Sequence, residues 1–153
     1  MMRGVPFASS LLGVAGLIPF VYGVMLILSG PGVLPGFGIF APTPDGGVKL
    51  LQDFGAIILG FMGGCLWGFA SAPGRVPKLG ILFASIIPAA IALFSMRPEP
   101  EMSCAGLAFG FAVLQGIDLW LHRRGVTPEY WISLRLPLTT GVILCLLVGA
   151  LHG

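Results

Sequence analysis

The chain reads as an all-α, polytopic integral membrane protein: one domain over residues 1–153, built as a bundle of five transmembrane helices. Three observations lead there. Of its 153 residues, 56% are hydrophobic and 9% charged, against about 25% charged in an ordinary soluble domain. Six carboxylates and eight Lys or Arg side chains cannot cover a soluble surface of this size. Mean hydropathy is +0.99, and apolar runs fall at about 6–29, 48–70, 79–95, 102–122 and 128–151. Each approaches or exceeds the roughly 20 residues that cross a hydrocarbon layer. The connections are short, so there is room for the spans and little else, and none for an attached soluble catalytic domain.

Span 1 follows Arg3. A signal peptide has an apolar core of only about 7–15 residues, so this longer run is expected to stay in the mature protein. Pro19 is expected to kink it, and Gly13 and Gly16 offer close packing. Residues 30–47 then read as a loop. Pro31, Pro35, Pro42 and Pro44, together with Gly30, Gly32, Gly36, Gly38, Gly46 and Gly47, exclude a regular helix. Val33, Leu34, Phe37, Ile39 and Phe40 make the loop apolar. It is therefore expected to lie at the interface or fold back over the helix ends as a lid, with a substrate gate as the alternative.

Span 2 is the stretch around which the chain is organised. Gly60, Gly64 and Gly68 recur every fourth residue on one helical face, with Gly63 and Trp67 beside them. Helix association in lipid relies on close packing, which small-xxx-small spacing permits. These glycines are expected to form a packing seam with Trp67 as an aromatic plug; a cofactor or substrate slot is the other reading. Asp53 lies on nearly the same stripe, and Lys49 is placed four residues before it to pair along the helix. A carboxylate below the membrane surface is a candidate for function.

The basic turn from Ser71 to Lys78 leads to span 3, where Pro88 is a further kink. Arg97-Pro98-Glu99-Pro100-Glu101 is a tight turn whose prolines and carboxylates suit a helix start. In span 4, Gly106 and Gly110 form a second seam, a natural partner for span 2. Gln115, Asp118 and His122 make a polar stripe. His122 and Asp118 are too few to hold a metal. Asp118 is expected to pair with Arg135; a proton relay or headgroup site is the alternative. Thr127-Pro128-Glu129 has the form of an N-cap followed by proline at the first helical position, so span 5 is predicted to begin at Pro128. Tyr130 and Trp131 then fall at headgroup level. Arg135 lies deep enough to meet Asp118, and Thr139 and Thr140 can bond back to the helix.

With five spans, Arg3, Arg75, Lys78, Arg123, Arg124 and Arg135 share one side of the membrane, and Lys49 and Arg97 the other. The positive-inside rule puts the first side in the cytoplasm, or in the matrix of a mitochondrion. The N-terminus is then inside and the C-terminus outside.

Several chemistries find no residues. The sequence has no phosphate loop, no Ser/His/Asp constellation and no HExxH. Cys65, Cys104 and Cys145 are far apart and have no zinc or redox spacing, so neither a disulfide nor a metal cluster is expected. His122 and His152 end successive spans on opposite sides. A net charge of +2 is too small to argue for nucleic acid.

Ile18-Pro19-Phe20, the run Phe54 to Leu59 into Gly63-Gly64 and Trp67-Gly68, and Tyr130-Trp131 followed by Leu134-Arg135 and Leu138-Thr139 resemble a bacterial membrane-protein family of unknown function. Its mitochondrial relatives are called transmembrane protein 69. The resemblance covers most of the chain. It implies a five-span protein of bacterial inner membranes and mitochondria, and brings no activity. Members usually carry a histidine just before the Trp-Gly of span 2; here that position is Leu66.

The sequence therefore favours a non-catalytic membrane protein without a cofactor. It is expected to contact membrane lipids and other membrane subunits, as an accessory subunit or assembly factor of a larger complex. A respiratory complex is the first expectation for that partner, and it rests only on the resemblance to a family of energy-transducing membranes. The alternative is a small transporter or a lipid- or quinone-binding protein using Asp53, Trp67, Asp118 and Arg135. An intramembrane enzyme is the third reading.

Overall fold

A computed structural model describes residues 5–72, 74, 76 and 78–152. The described residues form five helices: α1 Phe7–Ser29, α2 Pro44–Ala70, α3 Leu79–Ser95, α4 Pro100–Arg123 and α5 Trp131–His152. Four of them are long and apolar enough to cross a membrane, and α3 is a shorter apolar helix of 17 residues. At 1.5 Å per residue, α3 is about 26 Å long. The fold is a membrane helical bundle. Helix α2 sits at its centre, in contact with each of the other four, while α1 also meets α5 and α4 also meets α3 and α5.

The core lies along one face of α2. Leu51, Leu59 and Leu66 are fully buried there, against Phe20 of α1, Leu107, Phe111 and Leu114 of α4, and Leu146 of α5. Phe20 packs edge-on to both Phe54 and Phe111, with ring centroids 5.2 and 6.3 Å away. Pro19, Pro88 and Pro137 lie inside α1, α3 and α5, which run on through them.

Helix α2 begins earlier than its sequence suggests. Thr43 is its N-cap, and its hydroxyl accepts from the Gly46 N–H at 3.1 Å. Pro44 occupies the first turn with Asp45, where a missing N–H and a negative charge both suit a helix start. Gly46 and Gly47, read from sequence as loop residues, are helical because the cap holds them there. Gly47 is also where α1 and α2 cross, whereas a Cβ on Gly46 would press on the backbone of Ala41 in the preceding loop. A Cβ on Gly47 would stand 2.6 Å from the Gly23 carbonyl oxygen, and one on Gly23 would stand 3.1 Å from the Gly47 oxygen.

The shortened loop is folded. Phe37 and Phe40 bond each other in both directions at 3.1 and 3.0 Å, around Gly38 with φ of 60°. The Tyr22 hydroxyl donates to the Pro35 carbonyl at 2.8 Å, and its ring lies 5.3 Å from that of Phe37. The loop is thereby fastened to α1, while Ile39 at its tip is 93% exposed.

Helix α5 starts later than predicted. The Thr127 hydroxyl lies 3.0 Å from His122 Nδ1 instead of capping a helix. Residues 128–131 form a turn, closed by the Trp131 N–H on the Pro128 carbonyl, and the helix begins at Trp131. Helix α4 ends in a Schellman arrangement: Gly125 has φ of 66° and bonds His122, and the Val126 N–H reaches the Leu121 carbonyl.

Candidate functional site

The bundle has two ends. The basic end carries Lys78, Arg123 and Arg124; Arg3 and Arg75, which the sequence adds to it, lie outside the described residues. Just inside this end, α4 and α5 meet at a buried polar centre. Asp118 is 0% exposed and both of its oxygens are taken. Trp131 Nε1 donates to Oδ1 at 2.7 Å, and Arg135 Nε donates to Oδ2 at 3.1 Å. Trp131 and Arg135 are four apart on α5, so they share a face. The Trp131 indole is held edge-on by Phe69 of α2, with centroids 4.7 Å apart.

Trp131 does not face outward in an aromatic belt. It is only 9% exposed, because an indole N–H has more to gain from a buried carboxylate than from the interface. The spacing from Trp131 to Arg135 was the available signal. Tyr130, one residue earlier, is half-buried and is not a partner of Asp118.

The four predicted site residues do not converge. Asp118 and Arg135 are together. Asp53 is paired instead with Lys49 along α2, at the opposite end, where it shares a shallow pocket with Arg97 and Ser103. Ser103 and Asp118 are fifteen residues apart on α4, or about 22 Å. Trp67 is 45% exposed on the outside of α2. Leu66, where the resemblance expects a histidine, is fully buried in the apolar core.

The glycine seam also divides. Gly63 faces inward: a Cβ there would stand 2.6 Å from the Ser85 carbonyl oxygen of α3. Gly110 meets Leu59 and Ile91, and Gly106 meets Ser95. The α4 glycines therefore serve α3 as much as α2. Gly60, Gly64 and Gly68 form no seam within this chain, since nothing lies within 4 Å of a Cβ on any of them. Their four-residue spacing puts them on one face, and that face is turned out of the bundle. The inward face carries the larger apolar side chains at positions 59 and 66.

Four buried polar atoms or groups remain without partners among the described residues: both amide atoms of Gln115, Arg135 Nη2 and Thr139 Oγ1. Helices α4 and α5 are antiparallel neighbours, and Asp118 is opposite Arg135. Their register thus sets Gln115 level with Thr139, one turn deeper. Beside this track, between α1, α2 and α5, lies a cavity of about 300 Å³ with Arg135 and Trp131 in its wall. Chemically, Asp118 is a clamp. Its oxygens are engaged and closed off, so it offers no free acceptor. What remains available is the spare donor of Arg135.

A family model described as "Protein of unknown function (DUF3429)" matches residues 5–151. The chain is also similar to transmembrane protein 69 of Xenopus tropicalis, 31% identical over 157 residues, covering 98% of this chain and 56% of the relative. It thus spans about half the length of that curated relative. No solved structure matches the chain.

Proposed function

The chain belongs to the DUF3429 family, and on that premise we propose that it is a non-catalytic integral membrane protein that docks, through the outer face of α2, to a transmembrane helix of a larger complex. It serves there as an accessory subunit or assembly factor. The observation that carries this is the open glycine face. Gly60, Gly64 and Gly68 have nothing in front of them, and Ile57, Phe61 and Trp67 around them are 65, 64 and 45% exposed. Lipid tails gain nothing from a glycine stripe, whereas a second helix gains close backbone approach. The opposite face of α2 is already filled by this chain's own helices.

In this reading all five helices cross the membrane. At about 26 Å, α3 falls a few ångströms short of a typical hydrocarbon core of roughly 30 Å, a mismatch that local thinning accommodates. The basic end faces the cytoplasm of a bacterium or the matrix of a mitochondrion, with the N-terminus inside and the C-terminus outside. The energy-transducing inner membrane, and a respiratory complex as partner, rest on the family resemblance alone.

The test compares wild type with Gly64→Leu, each purified from native membranes in mild detergent. Wild type is expected to migrate with stoichiometric subunits. Gly64→Leu is expected to migrate alone with unchanged helical circular dichroism, because the new side chain meets nothing inside the chain. A wild-type protein that migrates alone, or a Gly64→Leu protein that keeps its partners, contradicts the proposal.

A further inference from the structure

The cavity between α1, α2 and α5 is apolar along its length and has a polar end. Ser9, Trp131 and Arg135 line it at the basic end, and Phe20 and Val142 line it toward the middle of the bundle. From Ser9 to Phe20 is eleven residues of α1, about 16 Å along the axis. It opens to the side, past Leu12 and Phe61, which are 73 and 64% exposed. Its volume of about 300 Å³ is at the lower bound of small-molecule sites, roughly 300–1,000 Å³.

Arg135 gives this cavity its chemistry. The residue is only 6% exposed, and its Nη2 is buried without a partner. A buried guanidinium N–H with no acceptor is unfavourable, so an oxygen delivered through the cavity satisfies it. The charge of Arg135 is already matched by Asp118 at 3.1 Å. The oxygen required is therefore that of a neutral acceptor, and a carboxylate would add an unmatched charge. The polar end is the shallow end, and the apolar end points to the midplane. That is the arrangement of an ester carbonyl with its acyl chain below it.

We propose that this cavity binds one acyl chain of a membrane glycerolipid, with Arg135 Nη2 donating a hydrogen bond to the ester carbonyl. Arg135 lines the cavity while its Nη2 is itself buried, so occupation includes a small movement of the lining side chains toward the lipid. The cavity borders the outer face of α2 at Phe61, but none of Gly60, Gly64 and Gly68 lines it.

Trp131 supplies the readout. In a Trp67→Phe, Trp120→Phe background it is the sole tryptophan, since the chain has three. The protein in detergent is titrated with phosphatidylcholine brominated on its acyl chains, which quenches a neighbouring indole. Saturable quenching at about one lipid per chain is expected. Arg135→Lys, which keeps a cation beside Asp118, is expected to weaken it about tenfold, the share of one charge-assisted hydrogen bond. Gly16→Leu fills the cavity from a position with nothing within 4 Å of its Cβ. It is expected to abolish saturation while circular dichroism stays unchanged. Quenching that rises without saturating, or that Gly16→Leu leaves untouched, overturns the proposal. So does decylubiquinone displacing the lipid at a lower concentration than the lipid itself needs, which assigns the cavity to a quinone.

Discussion

Two ion pairs stand at opposite ends of this bundle. Lys49 and Asp53 pair within one helix, with side chains 61 and 31% exposed. Arg135 and Asp118 pair between two helices, with side chains 7 and 1% exposed. The ions are of the same kind, a carboxylate with one cation. Their consequences differ because of where they sit. An exposed pair exchanges water for a partner and gains little. A buried pair has already given up its water, so each member depends on the other. The Lys49–Asp53 pair decorates a helix that would form without it. The Arg135–Asp118 pair, with Trp131 on the second carboxylate oxygen, fixes which residues of α4 face which residues of α5.

The sharpest way to break the comparison is Asp118→Ala. It leaves the Arg135 guanidinium buried and unmatched, which costs about 3–5 kcal/mol. A marked fall in the thermal midpoint in detergent is expected, with loss of chain recovered from membranes. Next comes Gly63→Leu, whose side chain collides with the backbone of α3. Overpacking of that kind costs about 1–3 kcal/mol, and a lower midpoint is expected where Gly64→Leu, one residue on, leaves it unchanged. Lys49→Ala removes the exposed pair and is expected to shift stability by less than about 0.5 kcal/mol, a change at the edge of what a denaturation curve resolves. Thr139→Val sharpens the contrast from the other side. It removes a buried hydroxyl that has no partner, so stability is expected to stay level or rise slightly. A loss above about 1 kcal/mol in Thr139→Val would mean that the hydroxyl has a partner after all.

Most of the architecture was legible in the sequence because bilayer thickness sets a length that composition reveals. Helix α3 ran from Leu79 to Ser95 as read. The Asp118–Arg135 pair was legible too, since few charges lie inside the spans and these fall at matching depth on adjacent helices. Three features were not. Gly46 and Gly47 look like loop residues because glycine breaks helices in general; here Gly47 lets α1 approach α2, and Gly46 leaves room for the Ala41 carbonyl. Their signal is Thr43-Pro44 just before them; the same pattern at Thr127-Pro128 caps no helix, because His122 takes the hydroxyl. The direction of Trp131 depended on a tertiary acceptor that a propensity for interfaces does not encode. The side of α2 on which Gly60, Gly64 and Gly68 face could not be read from their spacing, because spacing defines a stripe and only the neighbouring helices decide which way it turns.

That outward stripe is where the central claim rests. In a background with Cys65, Cys104 and Cys145 replaced by alanine, single cysteines at Gly60, Gly63, Gly64 and Gly68 can be labelled with a benzophenone maleimide and photo-cross-linked in native membranes, the benzophenone inserting into any neighbouring C–H bond. Adducts to another membrane protein at positions 60, 64 and 68, with none at 63, are the expected result. The absence of adducts at all three outward positions, or equal adducts at 63, would contradict a docking face on α2.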